Sequence, residues 1–391
     1  MEKLNKVLLF DPYFEGKYGN ARYVIDLFKH EKYLNVDLYT CSPEKPSYLN
    51  DLKKKEKFFL LELNKREEDL NKFEGKIIKK NLLKKIKIFL NIVSYSLRFK
   101  NLCIKNKVDV VHCNSVRAIL TIGIGAKLAK CKTVLYVKSN LSNFFFILPA
   151  FLLANNILFQ TKTNQSKANV LLRFFFKKKF KILNNAIDLS RLQSSSMQIN
   201  YEEVLNLKKE TVNFVYMGSI VPRKGIHILL KAFNLLLKKN DVKLFFLGDQ
   251  LANKNYFKKL KKIFINSKIP NSVVFLGHKE DALDVLQKMD CLVLPSLDEG
   301  LPKCVIEAKC LGKPAIVSNI GGVKEIINHQ IDGYIVPINN YSALKEAMQL
   351  YIDNFSSINI SAHENKSISM NNFSFEKHCD NLSDIYLGLL K

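Results

Sequence analysis

Four short clusters between residues 213 and 337 combine charged side chains with glycines in a way that suits a phosphate-bearing ligand. The first is Gly218-Ser219-Ile220-Val221-Pro222-Arg223-Lys224-Gly225. A glycine turn followed by two cations where a strand ends is a place to hold phosphate. Lysine supplies a point charge there, and arginine can grip two oxygens at once. The second is Pro295-Ser296-Leu297-Asp298-Glu299-Gly300-Leu301-Pro302, leading into a predicted helix over 303–311. Gly300 permits a tight turn, and Pro302 suits the first helical position, where a missing N–H costs nothing. Free N–H groups and the positive end of the helix dipole make that point an anion site, with a diphosphate as the natural occupant. The third feature is the spacing of Glu299 and Glu307, one on the loop and one inside the helix. Two acceptor-only side chains beside a phosphate site suit the hydroxyls of one ribose and one sugar; surface glutamates are the alternative, which the attached EGLP turn disfavours. The fourth is Ser318-Asn319-Ile320-Gly321-Gly322-Val323-Lys324-Glu325, a Gly-Gly turn between strand and helix, followed by a turn at Asp332-Gly333-Tyr334 into one more short strand.

These residues need elements to position them. Short β-branched runs alternate with amphipathic stretches along the whole chain. Strands are predicted at 6–10, 36–40, 108–112, 133–137 and 156–160, then at 213–217, 242–247, 272–276, 291–295 and 315–318. Most are continuous apolar runs, as parallel strands buried on both faces require. Ile226, Leu229, Leu230, Phe233, Leu236 and Leu237 repeat at helical spacing between two of them. The expected fold class is therefore α/β, two doubly wound Rossmann-like domains, with a boundary in 186–211. Nine of the fifteen glycines fall between Gly218 and Gly333, so the second domain is the expected nucleotide-binding one.

Composition narrows the setting. With 391 residues, 47% hydrophobic content and a net charge of +25, disordered and disulfide-scaffold classes are excluded. No apolar run reaches the ~18–20 residues of a membrane-spanning helix; 144–153 contains Pro149 and is too short. The N-terminus reads as a first strand rather than a signal peptide. The eight cysteines form no C-x-x-C pair and read as reduced, buried thiols. The expectation is a cytoplasmic protein held peripherally at the inner membrane face.

The charge is concentrated. The segment from Lys53 to Lys107 carries 17 Lys/Arg against 6 Asp/Glu. In it Ile78, Leu82, Ile86, Leu90, Val93 and Leu97 share one helical face, while Lys79, Lys80, Lys84, Lys85 and Lys87 crowd the rest. Such a helix reads as an anionic membrane-surface element or as a core-facing helix with a solvated lysine face. The segment from Arg173 to Lys181 (RFFFKKKFK) sets Phe174, Phe175, Phe176 and Phe180 among five cations. It suits an anionic lipid interface, a half-buried element, or base stacking. No recognition-helix, RNP or zinc pattern supports nucleic acid, so none is expected as a partner.

The ordered set GSIVPRKG, LGD, FLGH, PSLDEGLPKCVIEA, GKPAIVS, GGVKEII and DGYIVP resembles the donor-binding domain of a GT-B retaining glycosyltransferase of the family 4 type, glycosyl transferases group 1. In the first half, FDPYFEGKYGNARYVID resembles the family's glycine-rich first loop, Val108–His112 its second landmark and Asn184-Asn185-Ala186-Ile187-Asp188 its pre-linker turn. The resemblance implies two domains facing a central cleft. Residues 1–190 would bind the acceptor, with 372–391 crossing back to them, and 210–371 the nucleotide-sugar donor. It implies that Glu307 binds the donor ribose and Glu299 the transferred sugar, that Lys224 and Arg223 stabilise the departing diphosphate, and that Gly218, Ser219, Gly300, Leu301 and Pro302 line the donor. Gly19 would let the first loop close, and no metal or other cofactor is implied. His112 is an acceptor-side candidate or a strand-end core histidine. The family's usual Arg after Gly218 is Ser219 here, its paired glycines appear as Tyr18-Gly19, a frequent His is replaced near Lys138, and a common proline is Lys324. The implied reaction is retaining hexosyl transfer to a lipid-linked glycan in bacterial surface polysaccharide (O-antigen, lipopolysaccharide or capsule) biosynthesis. The rivals are a sugar-nucleotide epimerase of the same architecture and a basic nucleic-acid-binding protein.

Overall fold

The structure is a computed structural model of the chain and describes residues 4–10, 12, 20–46, 49–50, 52, 55–64, 82–138, 141, 144–193, 201–237, 240–265 and 272–391. It divides into two compact units, Met1–Asn184 with Phe375–Lys391, and Asn185–Ser374.

The first unit is built on β1 (Lys6–Phe10), β2 (Asp37–Ser42), β3 (Phe58–Leu60), β4 (Val110–Cys113), β5 (Lys132–Val137), β6 (Asn156–Phe159) and β7 (Phe180–Ile182). They form a parallel sheet of order β3-β2-β1-β4-β5-β6-β7. Val7, Leu8, Leu9 and Phe10 are all fully buried, which is why β1 reads as an unbroken apolar run. The helices Leu82–Asn106, Val116–Leu128 and Phe144–Leu153 bury Tyr95, Phe99, Ile119, Ile122 and Phe151 in the core with alternate residues of the sheet. The helix Phe375–Leu390 returns to this unit through Tyr386, which meets His112, and His378, which meets Tyr23.

The second unit holds β8 (Val212–Met217), β9 (Val242–Leu247), β10 (Val273–Gly277), β11 (Cys291–Leu294), β12 (Ala315–Ser318) and β13 (Gly333–Val336), in the order β10-β9-β8-β11-β12-β13. The helix Ile226–Leu236 buries the stripe read from its sequence. Strand order reverses at β1 in one sheet and at β8 in the other, and ligands of open α/β sheets bind outside the carboxyl ends at such points.

Two differences from expectation have physical causes, and one open alternative is narrowed. β3 and β7 escape a reading by apolar runs because each is only three residues long. Residues 185–190, expected in the first domain, belong to the second unit, where Ile187 N donates to Phe373 O at 2.9 Å. In the Leu82–Asn106 helix the apolar face of Ile86, Leu90 and Leu97 is exposed, at 47, 59 and 43%. A second face, Ile88, Tyr95, Phe99 and Cys103, fills the core instead. Lys53, Ile78, Lys79 and Lys80, and the side chains of Leu82, Lys84 and Lys85, lie outside the described residues. All eight cysteines are buried and none is in a disulfide. Among the described residues no helix is long and apolar enough to cross a membrane.

Candidate active site

In the second unit the loops after β8, β11 and β12 meet at the carboxyl edge of the sheet. Gly225 ends a single 3-10 turn, Pro222–Lys224, in the left-handed region at φ 67°, and a Cβ there would collide with the Pro295 carbonyl. Leu297 N donates to Arg223 O at 2.8 Å, closing the first loop on the second. Gly321, at φ 46°, lies against the Gly300 carbonyl, which also accepts from Gly322 N at 3.1 Å. The sequence clusters are thus distant in the chain and adjacent in space.

Their charges meet at Glu299. Its Oε1 lies 2.6 Å from Lys224 Nζ and 3.0 Å from Arg223 Nη1, and accepts from Ser296 Oγ at 3.3 Å. Arg223 also donates to the Asp298 carbonyl at 2.5 Å. Glu299 and Lys224 are only 13 and 14% exposed, whereas Arg223 is 52% exposed and reaches solvent. Glu307 sits within the helix Lys303–Cys310, its Oε1 3.8 Å from Arg191 Nη1. Cys304 lies beneath this charge. Burial pushes its thiol up to about 12, against the pull of the Lys224 ammonium and with added repulsion from Glu307 and Glu299. The helix start differs in one detail. Pro302 is its N-cap, at φ −71° and ψ 118°, and not its first helical residue. Its extended backbone leaves its carbonyl to accept from Val305 N at 3.2 Å, and as at N1 the absent proline N–H is no loss. Asn185 Nδ2 donates to Leu301 O at 2.7 Å and so fixes the turn in front of this helix.

Gly218 and Gly300 are half-buried at this edge, Ser219 is exposed, and Leu301 and Pro302 are buried. Gly19 lies outside the described residues. His112 belongs to the first unit and is fully buried in β4, its Nδ1 2.7 Å from Tyr386 Oη. Burial, with repulsion from Lys138 and His378, holds its imidazole down to about 3. Motif reading passed over Ser296, Arg191 and Asn185. Ser296 stands inside the PSLDEG cluster, and Asn185 and Arg191 stand in and just after the NNAID turn, so proximity in sequence was their only signal.

The basic aromatic segment of the first unit buries Phe176 and Phe180 and leaves Phe174 and Phe175 outside. The helix Val170–Phe176 is capped by Asn169, whose Oδ1 accepts from Leu171 N at 2.9 Å. Leu172 and Phe176 point inward, the latter 5.7 Å from the Phe151 ring. Val170, Leu171, Phe174 and Phe175 point outward, with Phe174 80% and Phe175 72% exposed. Lys179 turns back to donate to the carbonyls of Phe151 and Ala154, satisfying a helix end, while Lys177, Lys178 and Lys181 stay exposed.

Residues 197–366 match the family described as glycosyl transferases group 1. The chain is 25% identical over 217 residues to an Escherichia coli UDP-Gal:alpha-D-GlcNAc-diphosphoundecaprenol alpha-1,3-galactosyltransferase, covering 54% of this chain and 55% of that protein. It is 29% identical over 213 residues to the capsular polysaccharide biosynthesis glycosyltransferase CapM of Staphylococcus aureus, covering 53 and 54%. The chain therefore spans about half the length of the curated relatives it matches. Among solved structures, a glycosyltransferase from Rickettsia africae superposes with a TM-score of 0.80 at 20% identity over the whole of both chains. Anabaena Alr3699/HepE in complex with UDP gives 0.79 at 17% identity, covering 97% of this chain and 98% of that one. These likenesses establish the GT-B fold. The likeness to the glycosyl transferases group 1 family lies in residues 197–366, which hold the loops that meet at Glu299.

Proposed function

We propose that the protein is a retaining glycosyltransferase that moves a hexosyl group from a nucleotide-sugar donor to a lipid-linked glycan acceptor in bacterial surface polysaccharide biosynthesis. The observation that carries this reading is the meeting of Arg223, Lys224 and Glu299 beside the helix that bears Glu307. In it, the donor diphosphate takes the cations from Glu299, whose carboxylate then accepts hydroxyls of the sugar, while Glu307 takes the ribose. The bond from the sugar C1 to the phosphate oxygen breaks as the acceptor oxygen bonds to C1 on the same face. The acceptor proton passes to the departing phosphate, so no protein base is required. Two cations and a helix N-terminus supply the charge stabilisation that a divalent ion otherwise gives, and the reaction is proposed to be metal-independent. The E. coli relative acts on a diphosphoundecaprenol-linked sugar, which supports a lipid-linked acceptor bound by the first unit.

The location proposed is the cytoplasmic face of the membrane, with the Val170–Phe176 helix as wedge. Its outward rings enter the interface and Lys177, Lys178 and Lys181 meet anionic headgroups. The exposed stripe of Ile86, Leu90 and Leu97 within the segment from Lys53 to Lys107 is proposed as a second contact. Screening UDP-, GDP- and ADP-sugars by thermal shift identifies the donor base, a stabilised form being expected with one of them. Glu307→Ala is then expected to abolish transfer at unchanged Tm. Wild-type turnover in that variant would sink the site assignment, and an EDTA-sensitive rate would sink metal independence.

A further inference from the structure

The carboxyl edge of the first unit's sheet holds polar groups that the donor chemistry does not use. His112 on β4 is level with Val134 on β5, so Asn114 is level with Tyr136, and Lys138 follows along the same face. Lys138 Nζ stands 3.7 Å from the centre of the Tyr23 ring and 4.7 Å from that of Tyr136. A cation held between two ring faces is oriented instead of sweeping through solvent. The rings' own hydroxyls are engaged elsewhere, Tyr23 with His378 at 3.0 Å and Tyr136 with the Leu183 carbonyl at 2.9 Å.

At the same edge as this cation, three buried polar atoms have no protein partner among the described residues: His112 Nε2 and both amide atoms of Asn114. Both residues are completely buried. Buried polar groups in native proteins are almost always paired, so an amide with neither end satisfied marks a place where something else supplies the bond. Asn114 also stands immediately before Ser115, the N-cap of the helix Val116–Leu128, whose dipole adds positive potential at the same point. His112 adds no charge of its own, since burial keeps it neutral.

We infer that Lys138, Asn114 and His112 form a subsite for an anionic oxygen group of the acceptor, a phosphate or a carboxylate. Lys138 supplies the charge, and the Asn114 amide and His112 Nε2 supply neutral hydrogen bonds. The inference rests on the reading of the first unit as acceptor-binding, and it adds that this acceptor is recognised by charge close to the sugar it presents.

The test uses the full chain with saturating UDP, so that Arg223 and Lys224 are occupied, and calorimetric titration with three probes: farnesyl-diphosphate-linked N-acetylglucosamine, octyl glucuronide and the neutral octyl glucoside. At least one charged probe is expected to bind about tenfold more tightly than octyl glucoside, a difference of about 1.4 kcal/mol. Which of the two does so tells phosphate from carboxylate. Lys138→Met should erase the preference while leaving UDP binding and Tm unchanged, with Lys138→Arg retaining it. Asn114→Ala should weaken the charged probe about fivefold without lowering Tm, whereas a merely structural amide would lower Tm and spare affinity. Equal binding of all three probes, or a preference surviving in Lys138→Met, overturns the subsite and leaves the acceptor reading standing. Binding of none of them, with UDP still bound, overturns the acceptor reading and the subsite with it.

Discussion

Glu299 holds two cations at once in the free protein, and that pairing sets a cost on donor binding. Lys224 at 2.6 Å and Arg223 at 3.0 Å must exchange a carboxylate for phosphate oxygens before the proposed chemistry begins. Glu299→Gln removes the competing charge while keeping the size of the side chain. Binding of UDP alone should therefore tighten by about tenfold, while transfer falls by ~10²–10³ because the sugar loses its acceptor. A titration and a turnover assay on the same sample check both halves, and unchanged UDP affinity would show that Glu299 does not guard the cations. His112 gives a second residue-scale expectation. Its folded value of about 3 lies below the ordinary 6.5, so the unfolded chain binds the extra proton between those values. Stability is then present above pH 6.5 and is lost as the pH falls below it, by up to about 1.4 kcal/mol per unit. His112→Gln should flatten the fall of Tm between pH 6.5 and 4.5, and an unchanged slope would place the acid sensitivity elsewhere.

At the scale of the element, the Val170–Phe176 helix separates two jobs by direction. Leu172 and Phe176 hold it to the unit, and Phe174 and Phe175 contribute almost nothing to the core. Phe174→Ser with Phe175→Ser should leave Tm within about 1 °C and release the protein from anionic vesicles at 0.5 M salt in a flotation assay. Leu172→Ala should cost about 2–5 kcal/mol, read as a lower Tm. The paired variants distinguish a docking element from a packing one. The same division explains what could be read before the structure. The apolar runs Val7–Phe10 of β1 and Cys291–Leu294 of β11 announce themselves because both faces are covered and each residue is apolar for the same reason. The donor-side loops were legible because glycine and charge must recur where strands end. The Leu82–Asn106 helix stayed open between two readings, since it carries two apolar faces and periodicity marks a face without saying whether core or solvent covers it. Arg191 and Ser296 were illegible for another reason: their significance is a distance to Glu307 or Glu299 that only the fold creates.

For the whole molecule, the net charge of +25 exceeds what a single diphosphate needs, and the cations named at that site are two. The remainder is expected to act over distance, drawing the chain to an anionic surface before any ring inserts. Coulombic attraction of this kind reaches about 10 Å at 0.1 M salt and about 3 Å at 1 M. The apolar contribution of Phe174 and Phe175 does not weaken with salt, and exclusion of kosmotropic salts from apolar surface acts in the opposite sense. Vesicle binding by the intact protein should therefore fall steeply between 0.1 and 0.5 M salt and level off at a residual fraction. The double serine variant should fall to zero over the same range, and neutral vesicles should retain only the residual fraction of the intact protein. Thermal-shift affinity for the nucleotide, set by short contacts at a partly buried pair, should change far less than vesicle binding across that series. If nucleotide affinity and vesicle binding instead declined in parallel with salt, the excess charge would belong to ligand capture and the proposed division between the two units would fail.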